Sequence, residues 1–279
     1  MTDFRQRVGA LSKSAGFTFV TIVTQALVFA FVSSFMANSL SAGEVLEDVV
    51  ERRFPLDPSG TFSLRAIDGT VEIFGTDSRE VKIVATKKAF SPERLNAIAI
   101  RVDARPDAVT VETTPPPTPS HHFSDRSGTV EYTINLPQTA RIARVELPHG
   151  ELVIDGMRGP SLTANLGTGQ LVTHNCFCDQ TIHVAQGALN VFFDWQEDRG
   201  IAIDAAIEDG NALARIPTEA TFQLHALAKR GHVSTDFSPM ESRKRGDVSE
   251  INEVIGEAPA TKLSFRAGDG NIHISEVIW

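Results

Sequence analysis

The chain is short of the residues from which most reactive sites are built. Its 279 residues include two cysteines, one tyrosine and two tryptophans, and aromatic residues make up 7%. The two cysteines, Cys176 and Cys178, lie far from the amino terminus, which excludes anchoring through a lipid-modified cysteine there. Basic residues are also in deficit. The net charge is -9, and beyond residue 16 the chain carries 23 basic against 34 acidic side chains. A surface of that sign disfavours nucleic acid and anionic lipid as partners. Nucleophile elbows, paired-histidine zinc helices and phosphate-cradling glycine loops are missing too. The sequence therefore assigns no catalytic residue and no cofactor.

What the chain has instead is a recurrent glycine. Take Gly69, Gly150, Gly169, Gly187, Gly210, Gly231 and Gly270 as origins, and read five and three residues before each and two after. All 21 positions are apolar, from Leu64, Ala66 and Val71 in the first unit to Phe265, Ala267 and Ile272 in the last. A composition of 42% apolar would fill about nine of them. The residue before each glycine is polar: Asp68, His149, Thr168, Gln186, Asp209, Arg230 and Asp269. Alternation at period two marks a strand with one buried face, and a polar residue followed by glycine marks a turn that needs positive φ. Each unit reads as strand, tight turn, strand.

One such unit cannot bury its apolar stripe alone, so copies must stack. From Gly150 to Gly231 the origins lie 19, 18, 23 and 21 residues apart, and the last step is 39. A period of about 20 with no helical segment between units points to an all-β fold, a β-solenoid of stacked short strands; a meander folded into a sandwich is the competing arrangement. Scarce aromatics suit narrow coils.

Residues 1–16 carry Arg5, Arg7 and Lys13 and read as a cytoplasmic segment. Phe17 to Met36 follow without a charge. As a helix at ~1.5 Å per residue they reach roughly 30 Å, enough to cross a bilayer. The positive flank places the rest of the chain outside the cytoplasm. Residues 17–42 are thus a transmembrane anchor or a cleaved signal segment, with Leu40-Ser41-Ala42 as the cleavage candidate. Residues 43–59 read as a charged connector. Residues 60–279 read as the folded domain, with loop insertions at 114–128, rich in proline and projecting, and at 238–258. Within that domain, 61–85 reads as three strands, Ser91-Pro92 as the start of a helical turn, and Arg105-Pro106-Asp107 as the tip of a hairpin.

Three groups of residues invite a chemical reading. His174, Cys176 and Cys178, at i, i+2 and i+4, share a face if the strand continues through them, and they are the metal-site candidates; the alternative is that small cysteines fill a coil interior or a turn. Asp194, Glu197, Asp198, Asp204, Glu208 and Asp209 crowd one region, either as a calcium or acid-base site or as a solvated acidic face. Arg245-Gly246-Asp247 is a tripeptide that some cell-surface receptors read, beside Arg243 and Lys244, which solubilise the insertion.

The opening FSLRAIDGTVEIFGTDSREVKIVATKK, then VEYTINLP, FQLHALAKRGHVSTDF and the closing LSFRAGDGNIHIS, together with the repeated glycine turns, resemble the bacterial putative-adhesin family. The likeness spans about 220 residues, and the order of the pieces is more specific than any one of them. It implies an extracytoplasmic β-solenoid and carries no catalytic residues. The family places Asn or Asp before the repeat glycine, whereas His149, Thr168, Gln186 and Arg230 stand there in this chain.

The sequence thus describes a non-enzymatic binding or structural module at the cell envelope. Its expected partners are an envelope protein or polymer, the membrane through residues 17–36, and a further copy of itself. The competing readings are an anchored envelope sensor and a polysaccharide-active enzyme.

Overall fold

The computed structural model describes residues 44–120, 125–238 and 242–277. The described residues are all-β apart from one short helix, and their strands join in an open sheet. The expected anchor at 17–36 lies outside the described residues. Among the described residues, no helix is long and apolar enough to cross a membrane.

The chain opens with β1 (Leu46–Pro55), β2 (Thr61–Arg65), β3 (Gly69–Thr76) and β4 (Glu80–Ala89). Ser91 then caps α1 (Pro92–Ala97), its hydroxyl accepting from the Arg94 amide while Pro92 occupies the first turn. A hairpin of β5 (Ala99–Arg105) and β6 (Ala108–Thr114) follows, and β7 (Thr129–Pro137) leads into the repeats. Four long strands come next: β8 (Arg141–Asp155), β9 (Ser161–His174), β10 (Asp179–Phe192) and β11 (Ala202–Pro217). The chain ends with β12 (Phe222–Arg230), β13 (Val233–Thr235), β14 (Arg243–Arg245), β15 (Val248–Ile255), β16 (Thr261–Asp269) and β17 (Ile272–Val277).

β8 to β11 lie parallel and in register, glycine on glycine: Gly150 opposite Gly169, Gly169 opposite Gly187, and Gly187 opposite Gly210. Their halves before the glycine form one wing and their halves after it a second. The first wing runs β5, β6, β2, β8 to β11, β16, β12, β15 and β14; the second runs β1, β4, β7, β3, β8 to β11, β17 and β13. The apolar residues of both wings belong to one core, and all 21 repeat positions are buried. Each fully buried Val, Leu, Ile or Phe contributes about 1.5–3 kcal/mol, a gain that ordering the chain largely offsets.

The turn glycines stack into a column, and crowding along it explains why the position tolerates no side chain. A Cβ on Gly169 (φ +138°) would sit 1.8 Å from the Gly150 carbonyl oxygen, and one on Gly150 would sit 1.7 Å from that of Gly69. Positive φ and the absence of a Cβ are both required here. Antiparallel strands close both ends of the parallel ladder: β4 and β1 with the β5–β6 hairpin at one end, β15 and β14 at the other. At the first end the hydroxyl of Tyr132 on β7 meets that of Thr113 on β6, 2.7 Å away across the core. Burial pushes this phenol up to about 12, against the pull of that hydrogen bond.

Two expectations need correcting. The segment read as a connector, 43–59, contains β1, whose alternation is masked because an edge strand exposes both faces. The insertion at 238–258 contains β14 and β15, a hairpin whose β15 hydrogen-bonds the far side of β12. The repeat units also do not stack in sequence order. β16 lies between β11 and β12, so the unit of Gly270 separates that of Gly210 from that of Gly231.

Candidate functional site

Outward-facing residues of the first wing line up by repeat position. Two places before the turn glycines stand Ile67, Pro148, Gly167 and Ala185, and four places before them stand Arg65, Glu146, Asn165 and His183. The in-register ladder turns these two sets into two parallel rows, with Arg65 opposite Glu146, Glu146 opposite Asn165, and Asn165 opposite His183. The first row is apolar or small, the second polar. Together with Thr113 and Pro115 they line a groove of about 560 Å³.

The groove is small-floored for a backbone reason. A Cβ on Gly167 would meet the Pro148 carbonyl oxygen at 2.2 Å, so the strands approach too closely there for a side chain. Its rim is held by ion pairs: Arg65 Nε donates to Glu146 Oε2 at 3.1 Å, and Arg65 Nη1 to Glu112 Oε1 at 3.2 Å. At the far end Glu208, which occupies the repeat position of Ala185, reaches His183 at 3.1 Å and closes the row. Past Ile67, Pro115 and Pro148 a second recess of about 320 Å³ continues beneath the proline-rich segment, lined by Arg94, Pro116 and Arg126 among others.

That segment was expected to project. Its described parts fold back instead, because Arg94 on α1 donates from Nε to the Ser127 carbonyl (2.8 Å) and from Nη1 to the Pro117 carbonyl (2.6 Å). Asp125 accepts from the Ser127 amide, and hydrogen bonding from Ser127 is the main reason its carboxyl is held below the ordinary value. Three carbonyl-directed or turn-closing bonds thus hold the described ends of the segment, in which Pro116 is buried.

The residues singled out for metal binding separate. β9 ends at His174, and Cys176 and Cys178 lie in the turn that follows, so the shared strand face does not exist. His174 spends both ring nitrogens on carboxylates, Nδ1 with Asp155 at 3.1 Å and Nε2 with Asp194 at 2.8 Å. Both cysteines are buried, and the Cys176 thiol donates to the Ile154 carbonyl at 3.3 Å. Burial pushes the Cys176 thiol up to about 12 and that of Cys178 higher still. Among the described residues, no group of three or more His, Cys, Asp or Glu side chains is placed to hold a metal ion.

The acidic residues disperse in the same way. Glu197 accepts from Arg158 at 2.8 Å, Asp204 from Arg266 at 2.6 Å, and Asp209 from Gln186 at 3.4 Å; Asp198 is exposed. Nearby, Phe177 stacks between Phe193 and Trp195 with ring centroids 5.2 and 5.6 Å apart, beside a recess of only about 40 Å³. Arg245-Gly246-Asp247 forms the exposed tip of the β14–β15 hairpin, with Gly246 at φ +64°.

Sequence reasoning passed over the groove. Its signal was present in the small residues Gly167 and Ala185 at one repeat position, but only the register of the ladder shows that the positions adjoin.

No family model matches the chain, and no curated protein matches it. Among solved structures, it is similar to a putative cell adhesion protein from Clostridium sporogenes, with 16% identity over 82% of this chain and 100% of that one and a TM-score of 0.47. It is also similar to a putative adhesin from Bacteroides fragilis, with 11% identity over 82% and 97% of the two chains and a TM-score of 0.30. It is similar, too, to a putative lipid binding protein from Parabacteroides distasonis, with 8% identity over 85% of this chain and 98% of that one and a TM-score of 0.28. The family resemblance read from the sequence meets the same group of names in two of these structures.

Proposed function

We propose that this chain is a non-enzymatic β-solenoid, displayed outside the cytoplasmic membrane by residues 17–36, whose groove binds an extended segment of an envelope protein. The single observation that carries the reading is the pair of parallel rows, apolar floor beside polar rim, repeated at the strand spacing of about 4.8 Å and walled by Pro115. An extended polypeptide crossing the strands points successive side chains to alternate sides, so it can lay apolar groups on Ile67 and Pro148 while its polar groups meet Asn165 and His183. Among the described residues, no Phe, Tyr or Trp lines the groove to give the stacking platform that sugar rings favour. The pairing of Asp194, Glu197 and Asp204 with basic side chains supports binding over glycan cleavage.

The test uses the full chain in detergent, against arrays of extended peptides and of envelope glycans. Ala185→Trp should fill the groove and reduce peptide binding at least tenfold with an unchanged melting temperature. Peptide binding that survives Ala185→Trp, selective binding of glycans, or turnover of any glycan would overturn the reading.

A further inference from the structure

β1 is an edge. Among the described residues it pairs with β4 alone, from Leu46 opposite Ala89 to Pro55 opposite Glu80. Its other side offers a run of backbone donors and acceptors, and Val49 on it is 61% exposed. The strand reads Leu46-Glu47-Asp48-Val49-Val50-Glu51-Arg52-Arg53-Phe54, acidic first and basic last.

We infer that this edge pairs antiparallel with the same edge of a second copy of the chain, about a two-fold axis through Val50. In that register Glu47 faces Arg53 of the second copy and Asp48 faces Arg52, each pair occurring twice. Val50 meets Val50, and Leu46 meets Phe54. Side chains opposite one another in an antiparallel pair share a face, so the two charge pairs fall on opposite faces of the joint sheet, and both faces are complementary. Asp48, Val50, Arg52 and Phe54 lie on the core-side face, opposite Lys87, Ala85, Ile83 and Val81 of β4.

The register is selective. Shifted by two residues one way, Glu47 faces Glu51; shifted the other way, Glu51 faces Glu51. A parallel pairing sets every charge against its own kind. Cross-strand like charges destabilise and unlike charges stabilise, so the sequence of β1 favours one geometry among these. Within one copy the same charges already meet β4: Lys87 contacts Asp48 at 2.5 Å, Lys88 contacts Glu47 at 3.3 Å, and Arg53 contacts Glu80 at 3.1 Å. Joining two copies extends the Lys88–Glu47 pair through Arg53 and Glu80 of the second copy into a charge row four strands wide, and the Lys87–Asp48 pair gains Arg52 of the second copy. A two-stranded junction buries little area, so the association is weak and concentration-dependent. It is independent of the groove, which lies on the first wing while β1 edges the second.

The experiment uses the full chain in detergent and has two arms. Val50→Cys places a thiol against its own copy, while Cys176 and Cys178 are buried; mild oxidation should give a covalent dimer, and Val49→Cys, off the axis, should give at least fivefold less. In the second arm, Glu47→Arg with Asp48→Arg makes all four charges of the facing pairs basic, and Arg52→Glu with Arg53→Glu makes all four acidic. Each variant alone should associate at least tenfold more weakly than the parent in sedimentation, and an equimolar mixture should form a heterodimer, since all four facing pairs are then opposite in sign. Restoration on mixing shows that both variants fold. A parent that stays monomeric at about 100 µM, the weak end of specific association, with no Val50→Cys cross-link, would overturn the inference and make the edge charges a guard against pairing. Charge-reversed chains that associate as strongly as the parent would overturn it equally.

Discussion

Gly169 and Gly246 both adopt positive φ, yet their substitution should cost very different amounts. At Gly169 an added Cβ collides with the Gly150 carbonyl oxygen at 1.8 Å, and that oxygen belongs to the backbone of a central strand that cannot swing aside. At Gly246, in the tip of the β14–β15 hairpin, nothing lies within 4 Å and φ is +64°, so only the left-handed conformation is penalised. Gly169→Ala should therefore lower the unfolding free energy by about 3 kcal/mol or more, in the range of severe core lesions. Gly246→Ala should cost about 1 kcal/mol, the usual penalty for a left-handed non-glycine residue. Urea unfolding followed by circular dichroism measures both. Equal losses would mean that φ alone, and not close approach along the column, fixes the glycine.

At the scale of elements, the proline-rich segment depends on one side chain. Arg94 holds the Ser127 and Pro117 carbonyls, while the strands beneath keep their own ladder bonds without it. Arg94→Ala should release residues 114–120 and 125–128, raising their hydrogen exchange and protease sensitivity at least tenfold, and should move the melting temperature by no more than a few degrees. Protection that persists would assign the anchoring to Pro116, which is buried, instead. The contrast between this segment and its neighbours shows what a sequence can reveal. β2, β3 and β4 were legible because each buries one face, so Phe62, Leu64, Val71, Ile73, Val81 and Ile83 alternate with polar residues. β1 and β15 were not, because a strand at or next to the sheet's edge gains its place by backbone pairing and carries charges on both faces, as Glu47, Asp48, Glu250 and Glu253 do. The folding back of 114–128 was illegible for a related reason. Its anchor is a guanidinium bound to carbonyl oxygens, which leaves no pattern in the segment itself. The groove shares that property, since its rows exist only once strands many residues apart are set in register.

For the whole molecule, the ladder implies a gradient of stability. Each strand of β8 to β11 is flanked on both sides along its full length, whereas β13 has three residues and β14 pairs only three. In an array of this kind stability is a sum of unit terms and nearest-neighbour interfaces, so opening should begin at the ends. Leu171 and Ile251 are buried to similar degrees, 0% and 4% exposed, but Leu171 lies on β9 in the middle and Ile251 on β15 at one end. Placing a carboxylate at either position buries an unpaired charge. If the molecule were one indivisible cooperative unit, both changes would unfold it alike. The ladder demands otherwise: Leu171→Asp should abolish slow hydrogen exchange throughout β8 to β11, because it breaks the interfaces on both sides. Ile251→Asp should strip protection from β15, β14 and the outer edge of β12 while β9 and β10 keep exchange rates within threefold of the parent. Equal loss of protection in β9 and β10 from both variants would contradict the layered arrangement, and with it the proposed register of the groove.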